Sequence, residues 1–201
     1  MSVRGRRTSV VLTALAALAL AASTPAAARY HGNVNLFVGE KLMDKQDWDP
    51  VEDQPEFGVM FAFGLEHSPV HFAMDILYSQ KDSVVDSPFL GPVDVKSSSA
   101  EYAIGVRKVW DLGAFHPLVG AGGCLVAVNL DYDAPGFHPH YADNAYGLWI
   151  EGGLSWRLAG HMNLGLDARY THADARFMRN GLPVDIAAGG LHAGVLLGYG
   201  W

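Results

Sequence analysis

From Leu191 to Trp201 the chain alternates strictly. Leu191, Ala193, Val195, Leu197, Tyr199 and Trp201 fall on one face of an extended segment, and Gly190, His192, Gly194, Leu196, Gly198 and Gly200 on the other. Successive side chains of a strand point to opposite sides, so a period of two predicts a β-strand and argues against an amphipathic helix.

The pattern recurs along the chain. In 162–171, Met162, Leu164, Leu166, Ala168 and Tyr170 oppose Asn163, Gly165, Asp167, Arg169 and Thr171. In 144–158, Tyr146, Leu148, Ile150, Leu154 and Trp156 oppose Gly147, Trp149, Glu151, Gly153, Ser155 and Arg157. In 70–79, Val70, Phe72, Met74, Ile76 and Tyr78 oppose His71, Ala73, Asp75, Leu77 and Ser79. Weaker runs at about 33–42, 55–66, 97–109 and 116–129 bring the number, with the final run 187–201, to eight. Within 97–109, Tyr102, Ile104 and Val106 oppose Glu101, Ala103, Gly105 and Arg107. The run 116–129 is small on both faces and leaves Cys124 unassigned.

Connections alternate too. The turns near 67–69, 110–115 and 158–161 are short, whereas the segments after the first, third, fifth and seventh runs are longer and polar. A meander threaded through a membrane has this asymmetry, with short periplasmic turns, longer outer loops and aromatic girdles. Tyr78, Tyr146, Trp156, Tyr170, Tyr199 and Trp201 sit near the ends of the apolar faces, as girdles require. The face carrying Asp75, Glu101, Arg107, Glu151, Arg157, Asp167 and Arg169 is otherwise rich in glycine, and the opposite face is almost free of charge. About nine residues suffice to cross a bilayer as a tilted strand. Strands in lipid must close on themselves to satisfy their backbones. The expectation is an all-β fold: an eight-stranded antiparallel transmembrane up-and-down β-barrel, apolar outside.

Arg4, Arg6 and Arg7 precede an apolar run, Val10 to Ala22, and small residues ending at Ala28. This describes a secretory signal peptide over 1–28, with 29–201 as the barrel domain. One Cys excludes an internal disulfide framework, and no spacing resembles a structural zinc site. A net charge of −7 argues against nucleic acid as a partner.

The export signal, the alternating strands and a last strand ending GVLLGYGW resemble the small outer-membrane β-barrels of Gram-negative bacteria, a family that includes the OmpA membrane domain, OmpX and opacity-type proteins. The resemblance covers about residues 30–201. It implies an outer-membrane location and an assembly signal at Val195, Leu197, Tyr199 and Trp201. It implies the barrel insertion machinery, outer-membrane lipid and lipopolysaccharide as partners. It leaves activity open, because the family hosts structural proteins, adhesins and a few lipid-modifying enzymes.

Chemistry could reside in the lumen or the loops. Eight strands leave an interior just wide enough for side chains. Across the turn at 158–161, Glu151 is expected beside Asp167 or Arg169, with Asp75, Glu101 and His192 a few rungs away. Buried charges must pair, so Asp75, Glu101, Arg107, Glu151, Arg157, Asp167, Arg169 and His192 are expected to form a salt-bridged plug. The alternative is a narrow, gated proton or ion path. Asp44, Asp47, Asp49, Glu52, Asp53 and Glu56 make the first outer loop acidic, and Asp131, Asp133 and Asp143 lie near His138 and His140 in the third. Carboxylates there could bind divalent cations. The His138/His140 pair without a fixed scaffold is too weak to assign a metal site, and no cofactor is expected. Tyr132, Phe137 and Tyr141 are either exposed interface anchors for a surface partner or part of the outer girdle. A lipid A deacylase-like enzyme would need a Ser nucleophile with a positioned His and acid. The candidates are His172 and Asp174 with Ser97, Ser98 and Ser99, and no such Ser lies in spacing with His172. The expectation is therefore a non-enzymatic, monomeric barrel with a structural or surface-interaction role through its loops.

Overall fold

The computed structural model describes residues 30–65, 68–88, 91–136, 138–158, 161–179 and 182–201. The expected signal segment and Phe137 lie outside them. The strands are β1 (Tyr30–Leu42), β2 (Asp53–Leu65), β3 (His71–Ser87), β4 (Gly91–Val109), β5 (Phe115–Asp133), β6 (His140–Arg157), β7 (Met162–Arg179), β8 (Leu182–Ala187) and β9 (Gly190–Gly200), with one helical turn, α1 (Lys45–Trp48). Each barrel strand pairs antiparallel with its chain neighbour, and β9 pairs with both β7 and β1, which closes the sheet. Gly32 and Trp201 exchange backbone hydrogen bonds at 3.1 and 2.9 Å across this seam.

β8 and β9 form one stave. β8 pairs with the outer half of β7 and β9 with its inner half. Between them the N–H groups of Ala188 and Gly189 both donate to Ala173 O, at 2.8 and 3.1 Å, the signature of a bulge. A Cβ on Gly189 would lie 2.0 Å from Thr171 O, so the bulge requires glycine there. The barrel thus has eight staves and is closed.

The alternating faces lie as their periodicity predicts. Leu36, Val38, Phe57, Ile104, Leu148, Leu166 and Val195 are exposed on the outside, while Ala73, Asp75, Ala103, Arg169 and His192 are buried inside. Exposed apolar side chains in a continuous belt on a closed barrel are in lipid, not water. Aromatic pairs mark both edges of the belt: Phe57–Tyr78 at the outer edge, and Phe63–Phe72 and Phe115–Trp156 at the short-turn edge. Cys124 faces inward and is buried.

The outer segments differ from expectation. What reads as polar loop after the third, fifth and seventh runs is strand. β3 and β4 stay in register from Ser79↔Ser99 out to Ser87↔Gly91, and β5 pairs with β6 out to Asp131↔His140. β7 pairs with β8 from Asp174↔Ala187 to Arg179↔Leu182. Strands of 17 to 19 residues exceed the ~9–11 a bilayer needs, so the hairpins stand clear of the membrane. β1 and β2 are shorter, and the segment between them folds inward instead.

Candidate functional site

At mid-height two guanidinium groups cross the lumen. Arg107, from β4, contacts Glu151 of β6 through Nε and, at 3.0 Å, through Nη2, and donates to Asp75 of β3 at 3.1 and 3.3 Å. Arg169, from β7, donates to Glu151 at 2.8 Å, to Asp75 and to Glu101 of β4 at 3.4 Å. Its guanidinium stacks on Trp149, 4.4 Å from the ring centre, a placement that attracts a cation. All five of these charged side chains are buried. Charges taken out of water survive only with good partners, and here two bidentate-capable arginines serve three carboxylates. Room comes from glycine: Gly120 lies opposite Glu151 in register, and a Cβ there would stand 2.4 Å from Oε1.

Above this layer, His192 lies between two acids and hydrogen-bonds only to Glu56, its Nε2 and the facing Glu101 Oε2 having no hydrogen-bond partner among the described residues. Its Nδ1 lies 2.9 Å from Glu56 and its Nε2 3.5 Å from Glu101. Lys41, fully buried, donates to Ser99 Oγ at 2.9 Å and to Ala188 O at 3.1 Å. Gln54 links Ser97, Ser79 and Val51 O by hydrogen bonds of 2.7 to 3.0 Å. Glu56 therefore belongs to the lumen and not to the acidic loop in which its sequence neighbours place it. Lys41 joins it, although its own run is too weakly alternating to single it out. Parity accounts for both, since Lys41 is in phase with Phe37 and Glu56 with Met60, and all four are buried.

Two further lumen candidates stand apart. Asp167 is buried opposite Gly153, but its Oδ2 has no hydrogen-bond partner. Arg157 is exposed at the short-turn end and joins no ion pair among the described residues. It follows the girdle residue Trp156 into water, where a guanidinium needs no protein partner. Arg157 is thus removed from the expected network.

The outer lumen is apolar and stoppered. α1 starts at Asp44, whose side chain accepts from Gln46 N at 2.8 Å, an N-cap. It carries Trp48 into the mouth, where Nε1 donates to Ala187 O at 2.6 Å while Ala187 N donates to Asp47 at 2.8 Å. Met43, Trp48 and Val51 bury against Val95, Val128, Leu130 and Phe177. The acidic first loop is a plug as well as a solvated surface. Tyr132 and Tyr141 join this interior through an edge contact to each other and a Tyr141–Phe177 stack. They face inward, so neither is an exposed anchor or a girdle residue.

Outside, charges pair across hairpins. His138 lies 2.9 Å from Asp133, His140 contacts Asp131, and Arg176 donates to Asp185 at 2.6 Å. Hydrogen bonding from Lys81 holds the Asp53 carboxyl below the ordinary aspartate range, and Arg176 does the same for Asp185. His172 and Asp174 are also outside and exposed, 3.8 Å apart, whereas Ser97 and Ser99 are buried inside on β4. A relay from His172 to Ser97 or Ser99 would have to pass through the barrel wall, and Ser98, which alternates to the outer face of β4, is separated from β7 by β5 and β6. The deacylase-like set does not assemble. Val195, Leu197, Tyr199 and Trp201 line up outward on the last stave.

A closed eight-stave barrel with a lipid-facing belt and a charge-filled lumen defines a small outer-membrane β-barrel. No protein-family profile matches the chain, and no curated protein matches it. Among solved structures, the chain is similar to the outer membrane protein OprG from Pseudomonas aeruginosa, with TM-score 0.54 and 16% identity over 86% of this chain and 94% of that one. It is also similar to a major outer membrane protein from Thermus thermophilus, with TM-score 0.57 and 10% identity over 86% of this chain and 100% of that one. At such identities the likeness is one of fold.

Proposed function

We propose that the protein is a sealed outer-membrane barrel acting through its water-exposed hairpins, in surface interaction and in the structure of the envelope, without a catalytic centre. The observation that carries this reading is the double closure of the lumen. The Arg107–Arg169 network fills mid-height, and Trp48 on α1 stoppers the outer mouth. With the lumen filled at mid-height and at its outer mouth, the chemistry left facing the surroundings is on the hairpins of β3–β4, β5–β6 and β7–β8. Rigid scaffolds commonly bind through such outer segments. Lipid, lipopolysaccharide and the insertion machinery are the partners that go with this reading, the chain acting as a monomer after removal of residues 1–28. The last-strand residues Val195, Leu197, Tyr199 and Trp201 serve as the insertion signal.

Two measurements test it. Reconstituted into planar bilayers, the protein should give no steady conductance; a stable open channel would favour an ion path through Asp167, whose Oδ2 lacks a hydrogen-bond partner among the described residues, and the Glu101–His192–Glu56 group. Cells expressing a variant with the β5–β6 hairpin cut back to a short turn should lose adhesion that the full chain confers. Adhesion equal to that of the full chain would leave only the envelope-structural role.

A further inference from the structure

We propose that the outer face of the β5–β6 hairpin is a binding site for a borderline divalent transition metal such as Ni²⁺, Zn²⁺ or Cu²⁺, held by His138 and His140. In sequence the two histidines had no scaffold; the fold supplies one. Asp131 and His140 are direct cross-strand partners, and Asp133 and His138 meet one rung further out. Both pairs project from the exterior face, because Tyr132, between the two aspartates, and Tyr141, next to His140, are turned inward, Tyr141 onto Phe177 and Tyr132 onto Tyr141. His138 precedes β6 by two residues, and residues i and i+2 of even a fully extended chain lie no more than ~6.7 Å apart, a span that two imidazoles can bridge to a single ion. Pro139 between them fixes its own backbone torsion, and its carbonyl accepts from Tyr132 N at 3.1 Å, tying the segment to β5.

The carboxylates settle which nitrogen is offered. A carboxylate only accepts hydrogen bonds, so Nδ1 of each ring donates to its aspartate and Nε2 is the nitrogen left to a metal ion. No hydrogen bond among the described residues engages either Nε2, and both side chains are about 60% exposed. Metal-binding histidines characteristically give their other N–H to a carboxylate, which orients the ring and raises its basicity. Here the second layer is already built, twice over. Among the described residues no three His, Cys, Asp or Glu side chains converge on one point, so water completes the coordination sphere. Imidazole ligands suit zinc, nickel and copper, whereas calcium and magnesium prefer all-oxygen sets.

The test uses the full chain without an affinity tag, extracted from outer membranes in detergent and titrated calorimetrically with NiCl₂, ZnCl₂ and CaCl₂. Saturable uptake of nickel or zinc near one ion per chain is expected, with calcium far weaker. Replacing both His138→Ala and His140→Ala should abolish it. Asp131→Ala with Asp133→Ala should weaken it about 10- to 100-fold, the usual cost of losing outer-layer partners. His172→Ala, an exposed histidine on another hairpin, should change nothing. Copper bound to the unaltered chain should show coupling to two nitrogens by electron paramagnetic resonance, and to one after His138→Ala. Every variant lies outside the barrel core and is checked for folding by its shift between boiled and unboiled gel samples. Absence of saturable binding, undiminished binding by the folded double-histidine variant, or preference for calcium would overturn the site.

Discussion

β7 passes through two interiors. Within the lipid belt its inward residues are Asp167, Arg169 and Thr171; beyond the belt they are Ala173, Ala175 and Phe177, all buried. Its outward residues change in the opposite sense, from Leu164, Leu166 and Tyr170 to His172, Asp174 and Arg176. β4 does the same, with Glu101, Ser99 and Ser97 inside giving way to Val95 and Val93. The hydrophobic face of the wall switches sides at the outer girdle. In lipid an apolar exterior is unopposed and the filling can be ionic. In water the hairpins can be held only by burying apolar surface, so their apolar face must turn inward. The lower layer rests on paired charges, and the upper one on packing around Trp48.

The difference can be broken from its charged side first. Arg169→Ala leaves Asp75, Glu101 and Glu151 short of a cation in a dry site, which should cost about 3–5 kcal/mol; a large drop in the temperature at which the folded band is lost on gels checks it. Lys41→Ala strips Ser99 and Ala188 O of their shared donor, and an intermediate drop corresponding to about 1–3 kcal/mol is expected. The apolar side should respond locally. Trp48→Ala frees the plug without disturbing the ion pairs, so thiol labelling of Cys124, buried beneath it, should quicken roughly tenfold while global unfolding shifts less than for Arg169→Ala. Smallest is Lys81→Ala, which removes an exposed pair with Asp53. Because the Asp53 carboxyl is held low in the fold, the pair contributes above the unfolded aspartate pKa and is lost as pH falls through the folded one. Exposure screens it, and an unfolding temperature unchanged at neutral pH is expected. A Lys81→Ala effect equal to that of Arg169→Ala would sink the distinction between the two regions.

Much of this is readable from residue order. Strict alternation tells outside from inside for the strongly alternating runs, because a strand has no other way to present one apolar face, but not for 116–129, which is small on both faces and left Cys124 unassigned. The Glu151–Arg169 neighbourhood follows from the short turn between β6 and β7. The outer strands are not legible in the same way, because there the apolar phase inverts: Val93 and Val95 are inward, Asp94 and Lys96 outward. The Asp–His rungs of the β5–β6 hairpin are hidden for the same reason, since a loop has no register and a strand does.

By itself, then, the sequence determined the barrel, its closure number and the side on which lipid lies, because those depend on local periodicity. Tertiary structure alone decided that an acid-rich loop turns Trp48 inward, that Glu56 and Lys41 join the lumen chain, that Asp167 goes without a full set of partners, and that Arg157 stays in water. These are contacts between residues far apart in the chain, such as Trp48 with Ala187 and Lys41 with Ala188. Only the stagger of closed strands brings such groups to one height, and no spacing along a single strand records it.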